Sequence, residues 1–171
     1  MRDERSRGSG RAALASAILL AAAPGNAAAP LTLTGWDARA VDTARAGALK
    51  RLESEDCRKL FTDFKDAAGR TLQQNLEEWT ASPADYIGLI PFVDGSAHAR
   101  CGRTTTALVA SPGVRRVFVC KAFAEVQLRQ PGIAESMVIH EILHTLGLGE
   151  APMAGQPTSL EITQRVEARC R

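Results

Sequence analysis

Two histidines and a glutamate stand close together in the segment VIHEILHTLGLGE, residues 138–150. His140 and His144 are four residues apart, so on an α-helix their side chains leave the same face one turn apart. At that spacing both imidazole rings can bind one zinc ion, at about 2.0–2.1 Å from each nitrogen. Glu141 follows the first histidine, where its carboxylate can take a proton from a metal-bound water and pass it to a leaving amine. The pattern therefore predicts a zinc hydrolase site.

The same segment resembles the metzincin branch of the zincin metallopeptidases, whose pattern is HExxHxxGxxH. His140, Glu141, His144 and Gly147 match that pattern position for position. The eleventh position, a third histidine or an aspartate in that family, is Glu150 here, and a glutamate can also bind zinc through oxygen. The resemblance covers about a dozen of the 171 residues. It implies that His140, His144 and Glu150 hold Zn²⁺ and that Glu141 is the catalytic base.

Two other residues are alternatives to Glu150 as the third ligand. Glu161 is one, because the gluzincin branch of the zincins uses a glutamate on a later helix. Thr158 and Glu161 have the spacing of a capping box, however, which gives Glu161 a structural role and favours Glu150. The other alternative is His98, the only remaining histidine, which lies in the turn-like stretch 95–100.

The metzincin resemblance implies two further features that this sequence carries less completely. That family has a methionine turn beneath the metal, and Met153 is the only methionine that follows the motif. It also often has a tyrosine near the metal, and Tyr86 is the only tyrosine of the chain. An oxyanion could be stabilised instead by zinc itself, by His98 or by an arginine. The residues leave these alternatives open.

Three functions are compatible with this motif. The resemblance favours a zinc-dependent metallopeptidase that acts on a peptide or protein substrate. The second is a disulfide-stabilised binding or structural module in which the zinc is only structural. The third is a zinc hydrolase that cleaves a non-peptide amide or ester of the cell envelope.

The N-terminus has the features of an export signal. Four arginines precede an apolar run at 12–23, and small residues at 25–29 supply a signal-peptidase site. The apolar run is too short to span a bilayer as a helix. We therefore expect residues 1–27 to be a signal peptide. Residues 28–171 should form one zincin-like domain, secreted or periplasmic, with no stable membrane anchor.

Charge and cysteine content narrow the partners and the compartment. The predicted signal peptide holds four of the 21 basic and two of the 19 acidic residues, which leaves 17 of each. A neutral mature chain gives no support for a nucleic-acid partner. We also expect the protein to be a monomer. The remaining four cysteines are an even number without a CxxC pair, which indicates two disulfides. Four cysteines allow three connectivities, and one of them pairs Cys120 with Cys170 and Cys57 with Cys101.

The elements predict an α+β fold with a helical lead-in and a short, mostly antiparallel sheet. Helical spacing and start signals indicate helices at 35–52, with Asp37 as N-cap, at 57–64 and at 71–79, with Trp79 in the core. Strands are predicted at 86–93, 104–110 and 114–120, the last two joined by a turn at 111–113. Residues 121–130 are ambiguous. The active-site helix is predicted at 133–146 and a C-terminal helix at 158–170.

Overall fold

The fold is α+β, as the sequence predicts, and it is seen in a computed structural model that describes residues 33–80, 82–102 and 106–171. The predicted signal peptide and part of the predicted strand at 104–110 lie outside the described residues. The helices are α1 (Gly35–Arg51), α2 (Glu55–Arg58), α3 (Leu60–Asp63), α4 (Leu72–Glu77), α5 (Pro83–Leu89), α6 (Phe123–Arg129), α7 (Pro131–Thr145) and α8 (Ser159–Arg169). The strands are β1 (Phe92–Asp94), β2 (Leu108–Val109) and β3 (Val117–Val119), and a short 3-10 helix covers Ala99–Gly102.

The helical lead-in forms largely as predicted. The N-cap of helix α1 is Thr34 rather than Asp37. Asp37 lies in the first turn, where its negative charge interacts favourably with the helix dipole. The expected helix at 57–64 is divided at Lys59 into α2 and α3. Helix α4 is capped by Thr71. The prediction that Trp79 is a core residue is wrong, since it is 50% exposed and Arg115 stacks 3.5 Å from its ring centre.

The prediction of a strand at 86–93 is wrong for most of its length. The hydroxyl of Ser82 accepts a hydrogen bond from the backbone N–H of Asp85, and Pro83 occupies the first turn of α5. A serine cap followed by proline starts a helix, and this local signal outweighs the β-prone residues that follow. Only the last part of the predicted segment enters the sheet, as β1.

The sheet is mixed rather than mostly antiparallel. Its strand order is β1–β3–β2, with β1 parallel and β2 antiparallel to β3. The predicted hairpin is present, with Leu108 opposite Val119 and Val109 opposite Phe118. The parallel pair aligns Phe92 with Val117 and Asp94 with Val119.

Helix α7 is the central element of the core. It packs against α1, α6, α8 and the sheet, and its apolar face buries Val138, Ile139, Ile142 and Leu143. The helix starts at Pro131, two residues before the predicted start, because proline is tolerated in the first turn of a helix. The ambiguous segment before it is helical, as α6.

Two disulfides are present, as predicted, but both suggested pairings are wrong. Cys57 is bonded to Cys170 and Cys101 to Cys120. The reason is the tertiary path: α8 packs against α2 and α3, which brings Cys170 to Cys57, with a Cα–Cα distance of 4.5 Å. The two disulfides indicate an oxidising, non-cytoplasmic compartment. Within the described ranges, every helix is too short or too polar to cross a bilayer.

Candidate metal centre

Three potential metal ligands converge at the end of α7. His140 Nε2 and His144 Nε2 are 3.1 Å apart, and His144 Nε2 is 3.7 Å from Glu150 Oε2. The ligand atoms of the three residues all lie within 4.8 Å of one another, so this group could hold a metal ion. Both histidines are buried, whereas Glu150 is half-buried. Over the part of the chain that the structure describes, it is the one such group of histidine, cysteine and acidic residues.

The spacing of the two imidazole nitrogens fits a shared zinc ion. Two ligands of a tetrahedral zinc site, each about 2.05 Å from the metal, are about 3.3 Å apart. His144 Nδ1 lies 2.7 Å from the carbonyl oxygen of Leu148. Because a carbonyl can only accept, the neutral ring carries its proton on Nδ1 and presents the lone pair of Nε2. The residues therefore fit a zinc ion without rearrangement of this ring.

The turn after α7 brings Glu150 back towards the histidines. Gly147 has φ of +108°, a conformation that favours glycine, and its N–H donates to the carbonyl of His144 at 2.9 Å. The N–H of Leu148 then donates to the carbonyl of Leu143. This reversal closes the helix and directs the following residues, up to Glu150, across its end.

Burial keeps the two histidines neutral, which is the form that binds a metal. Burial, with smaller contributions from the neighbouring His144 and the charge of Arg100, lowers the pKa of His140 to about 3. Burial also lowers the pKa of His144. On the other side of the His140 ring, Nδ1 lies 3.1 Å from the Thr163 hydroxyl of α8, which fixes the ring orientation.

Glu141 points from α7 to the end of the sheet. The backbone N–H of Ala110, the residue after β2, donates to Glu141 Oε2 at 2.6 Å. Burial raises the pKa of Glu141 to about 7, although the Ala110 hydrogen bond and the charge of Arg100 oppose this. A carboxyl group that titrates near neutral pH is suited to general acid–base chemistry.

A cleft of about 290 Å³ opens beside this group. His144 and Glu150 line it together with Arg100, Ala110 and Pro112. Of the three candidate ligands, His144 and Glu150 therefore border the cleft.

No protein family, curated protein or solved structure matches this chain. The chemistry of the site therefore carries the functional argument on its own.

The two alternative third ligands lie elsewhere. Glu161 completes the capping box of α8, where its Oε2 accepts from the backbone N–H of Thr158 at 2.7 Å. His98 stacks on the ring of Phe118, with 4.4 Å between ring centres. Neither belongs to the group of ligand atoms around His144.

Met153 and Tyr86, the two other residues that the family resemblance singled out, do not have the positions expected for a metzincin site. Met153 lines the cleft but is 45% exposed, so it is not a buried support beneath the histidines. Tyr86 is fully buried and donates to the carbonyl of Thr145 at 3.3 Å, so it supports the end of α7.

Sequence reasoning missed Arg100, Ala110 and Thr163. They carry no motif, and only the return of distant elements brings them to α7.

Proposed function

We propose that the protein is an exported, zinc-dependent metallopeptidase that hydrolyses peptide bonds. The observation that supports this best is the convergence of His140, His144 and Glu150 beside an open cleft, with Glu141 next to them. Two imidazole nitrogens and one carboxylate oxygen are a ligand set typical of catalytic zinc, whereas magnesium and calcium prefer oxygen ligands alone.

The ligand count favours a catalytic zinc over a structural one. Structural zinc sites are closed by four protein ligands, most often cysteine and histidine. Here all four cysteines are in disulfides, and the described group contains three ligand residues. The cleft beside His144 and Glu150 leaves room for a water molecule as the fourth ligand.

Each residue of the site then has a defined role. A bound zinc ion supplies an acidified water and a Lewis acid for the scissile carbonyl. Glu141 takes the proton from the attacking water and gives it to the leaving amine. Ala110 holds one oxygen of Glu141, so the other is available for that proton. Leu148 and Thr163 keep the two imidazole rings in the orientation that binds metal.

The edge strand of the sheet is consistent with a peptide as the substrate. In the strand order β1–β3–β2, strand β3 is central and β2 lies at an edge. An extended peptide can pair with such an edge through backbone hydrogen bonds. Ala110 directly follows β2 and contacts Glu141, so a peptide bound there would pass the general base.

The test is the zinc content of the purified, oxidised protein and of single variants. We expect one zinc per chain in the wild type, and loss of zinc in Glu150→Ala. Glu161→Ala and His98→Ala are matched controls that should keep it, since both side chains lie outside the ligand group. Glu141→Gln should keep zinc but lose peptide hydrolysis, because the amide cannot accept the proton.

Other outcomes would overturn specific parts of the proposal. A wild type that binds no zinc after reconstitution would refute the metal centre. Loss of zinc in Glu161→Ala or His98→Ala, but not in Glu150→Ala, would move the third ligand to that residue. Zinc without an exchangeable water, together with no hydrolysis of peptides, would favour a structural zinc.

A further inference from the structure

Arg100 places a positive charge in the cleft beside the candidate metal centre. Arg100 is exposed and lines the same cleft as His144 and Glu150. None of the ion pairs found among the described residues includes Arg100. Its guanidinium therefore remains available to a charged ligand.

Ala110 links Arg100 to the general base. Arg100 Nη1 donates to the carbonyl oxygen of Ala110 at 3.5 Å, and the N–H of the same residue donates to Glu141. The guanidinium and the Glu141 carboxylate thus both contact the backbone of Ala110, the residue that follows β2. Burial dominates the pKa shifts of His140, Glu141 and His144, and the charge of Arg100 also acts on each of them, which agrees with this proximity.

The backbone around Arg100 is held in place from both sides. The next residue, Cys101, is bonded to Cys120, which directly follows β3. The ring of His98 stacks on Phe118 of β3, and its Nδ1 accepts from the N–H of Arg100 at 3.3 Å. These contacts fix the start of the Arg100 side chain relative to the sheet, which limits the entropy that ligand binding would cost.

We propose that Arg100 binds a carboxylate group of the substrate, so that the enzyme prefers peptides with a carboxylate near the scissile bond. This inference rests on the proposed peptidase function. A guanidinium can bind a carboxylate through two parallel hydrogen bonds. The carboxylate comes either from the C-terminus of the peptide or from an aspartate or glutamate side chain.

The exposure of Arg100 favours this role over stabilisation of an oxyanion. Donors to an oxyanion are effective when they are preorganised in a site from which water is excluded. Arg100 lines the cleft but is exposed to solvent. It is therefore better placed to select a substrate than to stabilise the transition state.

The test uses N-acetylated alanine pentapeptides in three forms. One has a free C-terminal carboxylate, the second is amidated, and the third is amidated with one alanine replaced by glutamate at each position in turn. Kd is measured by calorimetry on zinc-loaded Glu141→Gln protein, and KM and kcat are measured on the active protein. Each measurement is repeated with Arg100→Gln, Arg100→Lys and the control Arg129→Gln. Arg129 is an exposed arginine of α6 that pairs with Glu125.

We expect the free-carboxylate peptide, or one glutamate peptide, to bind about tenfold more tightly than the neutral peptide. Arg100→Gln should remove this difference, and the loss should appear mainly as a higher KM for the charged peptide. Arg100→Lys should restore part of it, because lysine keeps the charge but not the paired hydrogen bonds. Arg129→Gln should retain the full difference. Which peptide is preferred identifies the source of the carboxylate.

The inference and the proposed function can fail separately. Hydrolysis of all forms with equal KM would refute the role of Arg100 and leave the peptidase standing. An equal fall in kcat for charged and neutral peptides in Arg100→Gln would also refute it, in favour of an oxyanion role. Carboxylate-dependent binding that needs Arg100, without any hydrolysis, would refute the peptidase and support the carboxylate site.

Discussion

Asn75 donates a hydrogen bond of 2.8 Å to the carbonyl oxygen of Leu146, which lies 71 positions later in the chain. Leu146 is the C-cap of α7, where helix carbonyls have no partner within the helix. The same amide group donates to Asp66 Oδ2 at 2.9 Å. Asp66 and Asn75 therefore support the turn that follows His144 and leads to Glu150.

Replacement of Asn75 with alanine should weaken both the fold and the metal centre. The variant leaves the Leu146 carbonyl and one Asp66 oxygen without their donor, which costs about 1–3 kcal/mol. We expect a lower free energy of unfolding in urea and a weaker zinc affinity. Glu77→Ala, an exposed change in the same helix, should alter each by less than about 0.5 kcal/mol. Equal effects of the two variants would show that the hydrogen bond does not support the turn.

Gly147 offers a sharper test of the same turn. Its φ is +108°, and a Cβ added there would meet the Asp66 Cβ at 3.2 Å. Gly69 is a matched control, because its φ is +82° but a Cβ would meet nothing within 4 Å. Both alanine variants should lose about 1–2 kcal/mol of stability from the left-handed backbone. Only Gly147→Ala should also lose zinc affinity. A Gly69→Ala variant with the same loss of zinc would contradict a local role for this turn.

The contribution of Asp66 to the stability of the fold should depend on pH. Burial by itself would raise the pKa of Asp66, but hydrogen bonds from Asn75, Arg70 and Ala68 outweigh it and lower the pKa below its ordinary value of 3.8. The unfolded chain then binds this proton more readily than the folded chain does. The stabilisation is thus fully present above the unfolded pKa and is lost as pH falls through the folded pKa.

The measurement compares urea unfolding of the wild type and Asp66→Asn between pH 6 and pH 2.5, without metal. We expect Asp66→Asn to be less stable at pH 6. The difference should shrink once the pH falls below about 4, as the wild-type carboxyl takes up its proton. A difference that stays constant down to pH 2.5 would show that the charge of Asp66 makes no contribution.

Features that depend on neighbouring residues could be predicted from the sequence. The spacing of His140 and His144 requires only that their segment be helical, and the capping box of Thr158 and Glu161 lies within one turn. The even number of cysteines indicated two disulfides for a similar reason, because it depends on composition and compartment rather than on the path of the chain. The error at 86–93 shows the limit of this approach, since a local cap at Ser82 outweighed a β-prone composition.

The sequence by itself determined the histidine pair, Glu141 and the helix that carries them. Only the tertiary structure decided the cysteine partners, the mixed sheet and the side chains that surround the histidines. Arg100 comes from a 3-10 helix beside the sheet and Thr163 from α8, so their approach to α7 depends on packing between distant segments. That packing is set by burial of the whole core, which short-range spacing cannot encode.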